Sequence, residues 1–302
     1  MVFPDKDSEG SPECVSGARL AAFQPSANRS LVSVMPIDVT EHFDQDSIRL
    51  AYRRTVGRPD RTGPGGTGPN KAGIVWLGGF HSDMLGEKAT ALHAAADGAG
   101  RSFVRFDYLG HGQSGGRFED GTIGRWRSDA LAVIDNLTSG PLVLVGSSMG
   151  GWMSLLAALA RPDRVKALVL LAPAPDFTDK LLFARLTQAQ QREIMEQGRW
   201  LRPSAYDPAG YPITKALIED GRSWNVMDAE IPITIPVRIL HGGLDEDVPW
   251  THSFELMAKL RSKDVSWTFI KDGDHRLSRP HDIARMVDLV LATADQADAG
   301  SP

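Results

Sequence analysis

A chain of 302 residues, 42% hydrophobic and 24% charged, is long enough for one large α/β domain and too short for two full enzyme domains. Its net charge of -5 and pI near 5.9, with no basic run or zinc-type cluster, argue against nucleic acid or an anionic membrane as the partner. The single cysteine, Cys14, excludes an internal disulfide, and the lack of an apolar run of about 18 residues excludes a membrane span.

Residues 1–30 carry Ser, Pro, Gly and charge without periodicity, which predicts a disordered tail. The first residues lack a basic stretch followed by an apolar core, and their acids disfavour a transit peptide, so a cytoplasmic protein is expected. Strand-like stretches follow at 31–42 and 47–56, the second alternating Ile48, Leu50 and Tyr52 against Arg49, Ala51 and Arg53. A Gly/Pro-rich surface loop then runs from 57 to 73.

From Gly73 onward the pattern is regular. Short apolar runs at 74–77, 103–106, 142–145, 165–171, 237–240 and 265–270 read as strands. Helix-period segments at about 86–99, 122–138, 149–160, 251–262 and 279–295 separate them. Such alternation predicts a mostly parallel central sheet with helices on both faces, and a site at the carboxyl ends of the strands. Residues 31–295 are thus expected to form a single domain, with 296–302 as a C-terminal tail. One connection, about 175–230, is too long for a simple link. Leu181, Leu182, Phe183, Leu186, Ile194 and Met195 suit apolar helical faces, so it is expected to be a largely helical cap broken by Pro203, Pro208, Gly210 and Pro212.

Gly146-Ser147-Ser148-Met149-Gly150 stands between the apolar run 142–145 and an apolar helical segment. A nucleophilic serine on a sharp strand-to-helix turn needs small residues two positions to either side. Ser148 is therefore the expected nucleophile, and the Met149 N–H one oxyanion donor. A serine needs a base, and the base an orienting acid, in the chain order Ser, Asp or Glu, His. His275, after the 265–270 strand in Lys271-Asp272-Gly273-Asp274-His275, is the expected base. The 237–240 strand is followed by His241-Gly242-Gly243-Leu244-Asp245-Glu246-Asp247-Val248-Pro249; Asp245 is favoured as the acid over Asp247, and His241 reads as a packed or hydrogen-bonded structural residue. The second oxyanion donor should come from the loop Gly78-Gly79-Phe80-His81-Ser82-Asp83-Met84, with the Phe80 N–H as candidate. Gly79 and His81 beside it, and Phe183 and Met195 from the cap, are expected to line the substrate pocket. The glycine-rich turn Asp107-Tyr108-Leu109-Gly110-His111-Gly112-Gln113-Ser114-Gly115 opens no helix with nucleotide-binding spacing, and is expected to brace the oxyanion loop.

Together, these motifs resemble the α/β-hydrolase superfamily over about residues 40–295. A narrower likeness rests on Ile123-Gly124-Arg125-Trp126-Arg127-Ser128-Asp129, the elbow Gly146-Ser147-Ser148-Met149-Gly150-Gly151-Trp152, and Asp272-Gly273-Asp274-His275-Arg276-Leu277-Ser278. These strings resemble the palmitoyl-protein thioesterase and acyl-glucuronide esterase branch of α/β-hydrolase-domain proteins. The resemblance implies an α/β-hydrolase fold and a cofactor-independent serine hydrolase. Its expected substrate is a small-molecule acyl ester or thioester, cleaved through an acyl-enzyme. The same residues also suit a peptidase- or lactonase-like hydrolase, or a non-catalytic binding protein on a hydrolase scaffold.

Overall fold

The computed structural model describes residues 39–57, 71–203 and 210–299. The expected N-terminal tail, the first part of the strand expected at 31–42, Cys14 and most of the 57–73 loop lie outside them. β1 (Glu41–Gln45) and β2 (Ile48–Thr55) form a tight antiparallel hairpin, and β2 continues antiparallel against β4 (Phe103–Phe106). The rest of the sheet is parallel: β4, β3 (Gly73–Leu77), β5 (Leu142–Ser147), β6 (Val165–Leu171), β9 (Val237–Gly242) and β10 (Val265–Ile270). All six runs predicted as strands from Gly73 onward form strands.

Every residue of β3 and β4 is buried, as expected of strands covered on both faces. Successive side chains point to opposite sides. Along β5, Leu142 and Leu144 join the core beneath α2 (Ile123–Leu137) and α3 (Met149–Ala160). Val143 and Val145 join the core beneath α1 (Glu87–Gly98) and α7 (Pro280–Ala299). Helix α2 shows the cause at residue level: Ile123, Trp126, Ala130, Val133 and Ile134 recur at three- and four-residue spacing and bury one face, while the Thr122 hydroxyl caps its start by accepting the Arg125 N–H at 3.2 Å. Helix α7 runs to Ala299, past the expected boundary at 295. Near its end Asp298 pairs with the buried Arg101 guanidinium at 2.7 Å, and Asp295 pairs with it too.

The sheet order places β3 between β4 and β5, so chain connections diverge on either side of β3. A crevice opens at such a switch point, at the carboxyl ends of the strands. The loop after β3 and the turn after β5 both face it.

The insertion after β6 differs from expectation in one part. It has helical pieces: a π-helical turn (Thr178–Leu182), a 3-10 turn (Phe183–Arg185), α4 (Gln188–Gln197) and α5 (Lys215–Arg222). Between α4 and α5 lies a two-stranded hairpin, β7 (Arg199–Arg202) with β8 (Tyr211–Thr214). The cap is therefore helical in most of its described elements, and the short hairpin between α4 and α5 is the part the sequence did not announce. Pro203, Gly210 and Pro212 belong to this hairpin region rather than to hinges between helices. Strands of four residues, one holding a proline, are too short for period-2 alternation to register.

The insertion is pinned where it leaves and rejoins the sheet. Asp176, fully buried and at φ 56°, accepts the N–H groups of Val226 at 2.8 Å and Met227 at 2.9 Å, and pairs with Lys180 Nζ at 3.1 Å. His252, at the start of α6 (Trp250–Lys259), donates Nε2–H to the Pro175 carbonyl at 2.8 Å. Asp176→Ala leaves two backbone donors without their acceptor, and should lower unfolding free energy by about 2–4 kcal/mol. Urea denaturation measures that loss; a change under about 0.5 kcal/mol would mean that the carboxylate does not hold the cap.

Candidate active site

Ser148 sits between β5 and α3 at φ 55°, ψ -117°, a backbone strained for any residue with a Cβ. Crowding enforces it. A Cβ on Gly146 would lie 2.2 Å from the Gly150 carbonyl oxygen, and one on Gly150 would lie 2.0 Å from the Leu77 carbonyl oxygen. Only glycine lets β5, α3 and the end of β3 approach this closely. The strained turn is held by Ser148 N–H on the Leu171 carbonyl at 2.9 Å, and by the Gly151 and Ala174 N–H groups on the Ser148 carbonyl at 2.9 and 3.1 Å.

His275 follows β10, and Asp245 follows β9. Their loops are zipped together: Gly243 N–H donates to Ile270 at 2.7 Å, and Leu244 N–H to Gly273 at 2.8 Å. His275 Nδ1–H donates to Asp245 Oδ2 at 2.7 Å, and the Ser148 hydroxyl donates to His275 Nε2 at 3.1 Å. The Asp245 side chain is fully buried. Burial pushes its carboxyl upward, but hydrogen bonds from His241 and His275 outweigh this and hold it well below the usual carboxylate range. Asp247 is exposed and makes no hydrogen bond to His275; its carboxylate lies 3.7 Å from Arg202 and its carbonyl accepts from Arg185 at 3.1 Å. Of the two aspartates open in the sequence, Asp245 is the one that meets His275.

Asp245, Asp247 and His275 also bring one oxygen or nitrogen each within 4.8 Å of one another. Asp245 Oδ2 and His275 Nδ1 are engaged with each other, and Asp245 Oδ1 accepts two backbone N–H groups. That is the arrangement of a hydrogen-bond relay rather than of an ion cage.

The loop after β3 lies directly on the elbow, with the Cβ position of Gly79 only 3.5 Å from Ser148 Cβ. Among the described residues, the Phe80 and Met149 N–H groups donate to no protein acceptor, and Met149 heads α3, where helical amides are free. The glycine-rich turn braces this loop as expected. Asp107 accepts Met84 N–H at 2.6 Å with one oxygen and Gln113 N–H at 2.8 Å with the other. His111 donates Nδ1–H to the Leu109 carbonyl at 3.1 Å and accepts the His81 N–H on Nε2 at 3.2 Å. Burial lowers its pKa to about 4, which keeps Nε2 bare and able to accept.

Phe80 is the hub of an aromatic cluster that no short motif announces. Its ring lies edge-on to Phe118, Trp126, Phe177 and Tyr211, at 5.0 to 5.7 Å between centroids. His81 is exposed, at φ 58°, and stacks on Tyr211 of the cap hairpin at 4.9 Å. Phe183 and Met195 line an open groove of about 310 Å³ along α4, with Gln188, Gln191, Arg192 and Glu196. Ser148, Asp245 and His275 do not border that groove, and Phe183 and Met195 pack with Phe80 against the same apolar core. The signal that was there to read is the aromatic density of the segments flanking the site, which only the fold brings together.

A parallel sheet with an elbow serine, a strand-end histidine and a strand-end aspartate defines the α/β-hydrolases. The chain matches the Alpha/beta hydrolase family over residues 65–286, and it belongs to that family as a hydrolase enzyme. It is 38% identical over 239 residues to the mitochondrial palmitoyl-protein thioesterase ABHD10 of Mus musculus, covering 79% of this chain and 76% of the relative. To the Homo sapiens protein of the same name it is 37% identical over 243 residues, covering 80% and 75%. Among solved structures it is similar to a putative hydrolase from Agrobacterium vitis S4 (40% identity, TM-score 0.78, 86% of this chain and 100% of the other). It is also similar to mouse alpha/beta hydrolase domain-containing protein 10 (35% identity, TM-score 0.75, 86% and 99%). The expected cytoplasmic location does not stand, because these curated relatives are named as mitochondrial. That expectation rested on the composition of the first few residues, which does not by itself distinguish compartments. Among the described residues, no helix is long and apolar enough to cross a membrane.

His93 and His111 are both buried, and burial lowers each to about 4 from 6.5. The unfolded chain therefore binds protons at both as pH falls through 6.5, while the folded chain does not until about 4, so acid favours unfolding. Asp129 opposes them: burial raises it to about 6, so the folded chain is protonated there first. Burial also lowers His252 and raises Asp107, so three histidines stand against two carboxyls and stability should fall as pH drops from about 6.5 to 4. His111→Phe should flatten that slope. Urea midpoints at pH 7, 5.5 and 4.5 read it; parallel slopes in both proteins would refute the role given to His111.

Proposed function

We propose that the chain is a serine esterase or thioesterase acting through an acyl-enzyme, with Ser148 as nucleophile, His275 as base and Asp245 as acid. The continuous hydrogen-bond relay, 3.1 Å from serine to histidine and 2.7 Å from histidine to aspartate, carries the reading. His275 takes the Ser148 proton as Oγ attacks the acyl carbon. The N–H groups of Met149 and Phe80 receive the oxyanion, and their lack of protein acceptors supports this assignment. His275 then passes the proton to the departing alkoxide or thiolate, giving an acyl-serine and the free alcohol or thiol. Water, deprotonated by His275, releases the acid and restores Ser148.

The chemistry draws on the protein's own groups alone. In this reading Gly79, whose Cβ position lies 3.5 Å from Ser148 Cβ, and His81 in the same loop supply the near wall for the acyl group. The names of the thioesterase relatives support a small-molecule acyl ester or thioester as the substrate. An intact relay also favours an enzyme over a non-catalytic binding protein.

Ser148→Ala should abolish both turnover of p-nitrophenyl esters and fluorophosphonate labelling without unfolding the protein. Asp245→Asn should reduce kcat by about 10²–10⁴-fold, by analogy with other triads, while Asp247→Asn changes it only a few-fold. Labelling that persists in Ser148→Ala, or a crippling Asp247→Asn, would overturn the assignment. A panel of acyl esters and thioesters of increasing chain length then tests the cap. Phe183→Ala and Met195→Ala should leave the chain-length ranking unchanged if their groove is separate from the acyl site, and reorder it if the cap closes over the substrate.

A further inference from the structure

The Asp245 carboxylate carries more hydrogen bonds than the orientation of one imidazole requires. Oδ1 accepts the N–H groups of Asp247 at 3.0 Å and Val248 at 2.8 Å. Oδ2, which accepts from His275, also lies 3.2 Å from Nε2 of a second histidine, His241. His241 is fully buried in β9, four residues before the acid.

The tautomer of His241 follows from its other contact. Nε2 is 2.9 Å from the Val248 carbonyl oxygen. A carbonyl only accepts, so Nε2 carries the proton, and the same N–H is shared with Asp245 Oδ2. The opposite nitrogen, Nδ1, is buried and takes no hydrogen bond. A ring present only for packing would bury that orphan nitrogen at a cost which an apolar side chain of similar shape avoids. What this ring does better than an apolar one lies on its Nε2 side, against the acid.

We infer that His241 is a positioning residue for Asp245: its Nε2–H fixes the rotation of the carboxylate and shares Oδ2 with His275, weakening the acid's hold on the His275 imidazolium. The inference rests on the triad reading above. An oxygen that accepts two N–H groups presents less negative charge to each, so the imidazolium formed during attack surrenders its proton more readily to the leaving group. The depressed Asp245 carboxyl has His241 as its leading stabilising partner, which accords with this geometry. The other charged groups nearby are Asp247 with Arg185 and Arg202 against it, Asp274 and Arg276 flanking His275, and Lys88 of α1, whose Nζ donates to the Arg276 carbonyl. All of them are retained in a His241 variant, so a change in pH response reports His241.

The test compares the wild type with His241→Leu and His241→Gln. In His241→Leu the full charge of Oδ2 falls on His275, so the acid limb of kcat/KM should move to higher pH by about half to one unit. Its kcat should drop about tenfold, the scale of one hydrogen bond to a charged group, with KM nearly unchanged. The Gln amide can supply an N–H near the position of Nε2, so His241→Gln should restore the limb to the wild-type position. A lowered Tm in His241→Leu with an unmoved acid limb would overturn the inference and leave His241 a packing residue. Should His241→Leu fail to fold, imidazole ¹⁵N spectra of the wild type decide: a proton on Nε2 and a bare Nδ1 support the inference, and the reverse tautomer overturns it. Ser148→Ala runs alongside; loss of its fluorophosphonate labelling keeps the triad reading intact whatever His241 does, and persistent labelling overturns both.

Discussion

The carbonyl of Leu77, at the end of β3, packs so tightly on Gly150, in the first turn of α3, that a Cβ there would lie 2.0 Å from its oxygen. No side chain fits there. Because β3 and α3 meet at that distance, the turn between β5 and α3 has no room to relax, and Ser148 stays at positive φ. The same contact brings Gly79 against Ser148, in the loop whose Phe80 N–H, like that of Met149, donates to no protein acceptor among the described residues. Serine, the loop after β3 and the helix N-terminus are one packing event, and the strain at Ser148 is offset by the buried sheet around it.

Around that point the protein layers its supports. Asp107 and His111 fasten the oxyanion loop from one side, and the cap hairpin rests on it through Tyr211 from the other. The loops that carry Asp245 and His275 are stitched to each other by backbone hydrogen bonds. The Ser148 hydroxyl joins the elbow to these loops through its hydrogen bond to His275.

The sheet and the relay were legible in the sequence because each leaves a local mark. Fully buried parallel strands read as continuous apolar runs, and the elbow needs glycines at fixed spacing that sterics enforce. Asp245 was separable from Asp247 by its distance from Gly242 and Val248. The cap hairpin was not legible: β7 and β8 are four residues each and pair across a segment rich in breakers, so neither period emerges. Nor was the aromatic cluster of Phe80, whose members come from the oxyanion loop, the turn before α2, α2 itself and the cap. His241 was visible as a strand-end histidine, but its tie to Asp245 depends on side-chain direction across a tight turn, which spacing does not encode.

The clasp at the far end of the chain has a bearing on where the folding unit stops. Arg101 is 2% exposed, and its guanidinium is neutralised by Asp295 and Asp298 in the last turns of α7, while Asp298 also accepts the N–H of Ala72 at the entrance to β3. A protein shortened to residue 295 would keep every strand and every group of the relay. It would nevertheless lose the stronger of the two counter-ions of a buried cation and an anchor of the central strand at once. The end of α7 is therefore held by a charge pair as well as by the buried Ala297, and a C-terminal fusion belongs beyond Ala299.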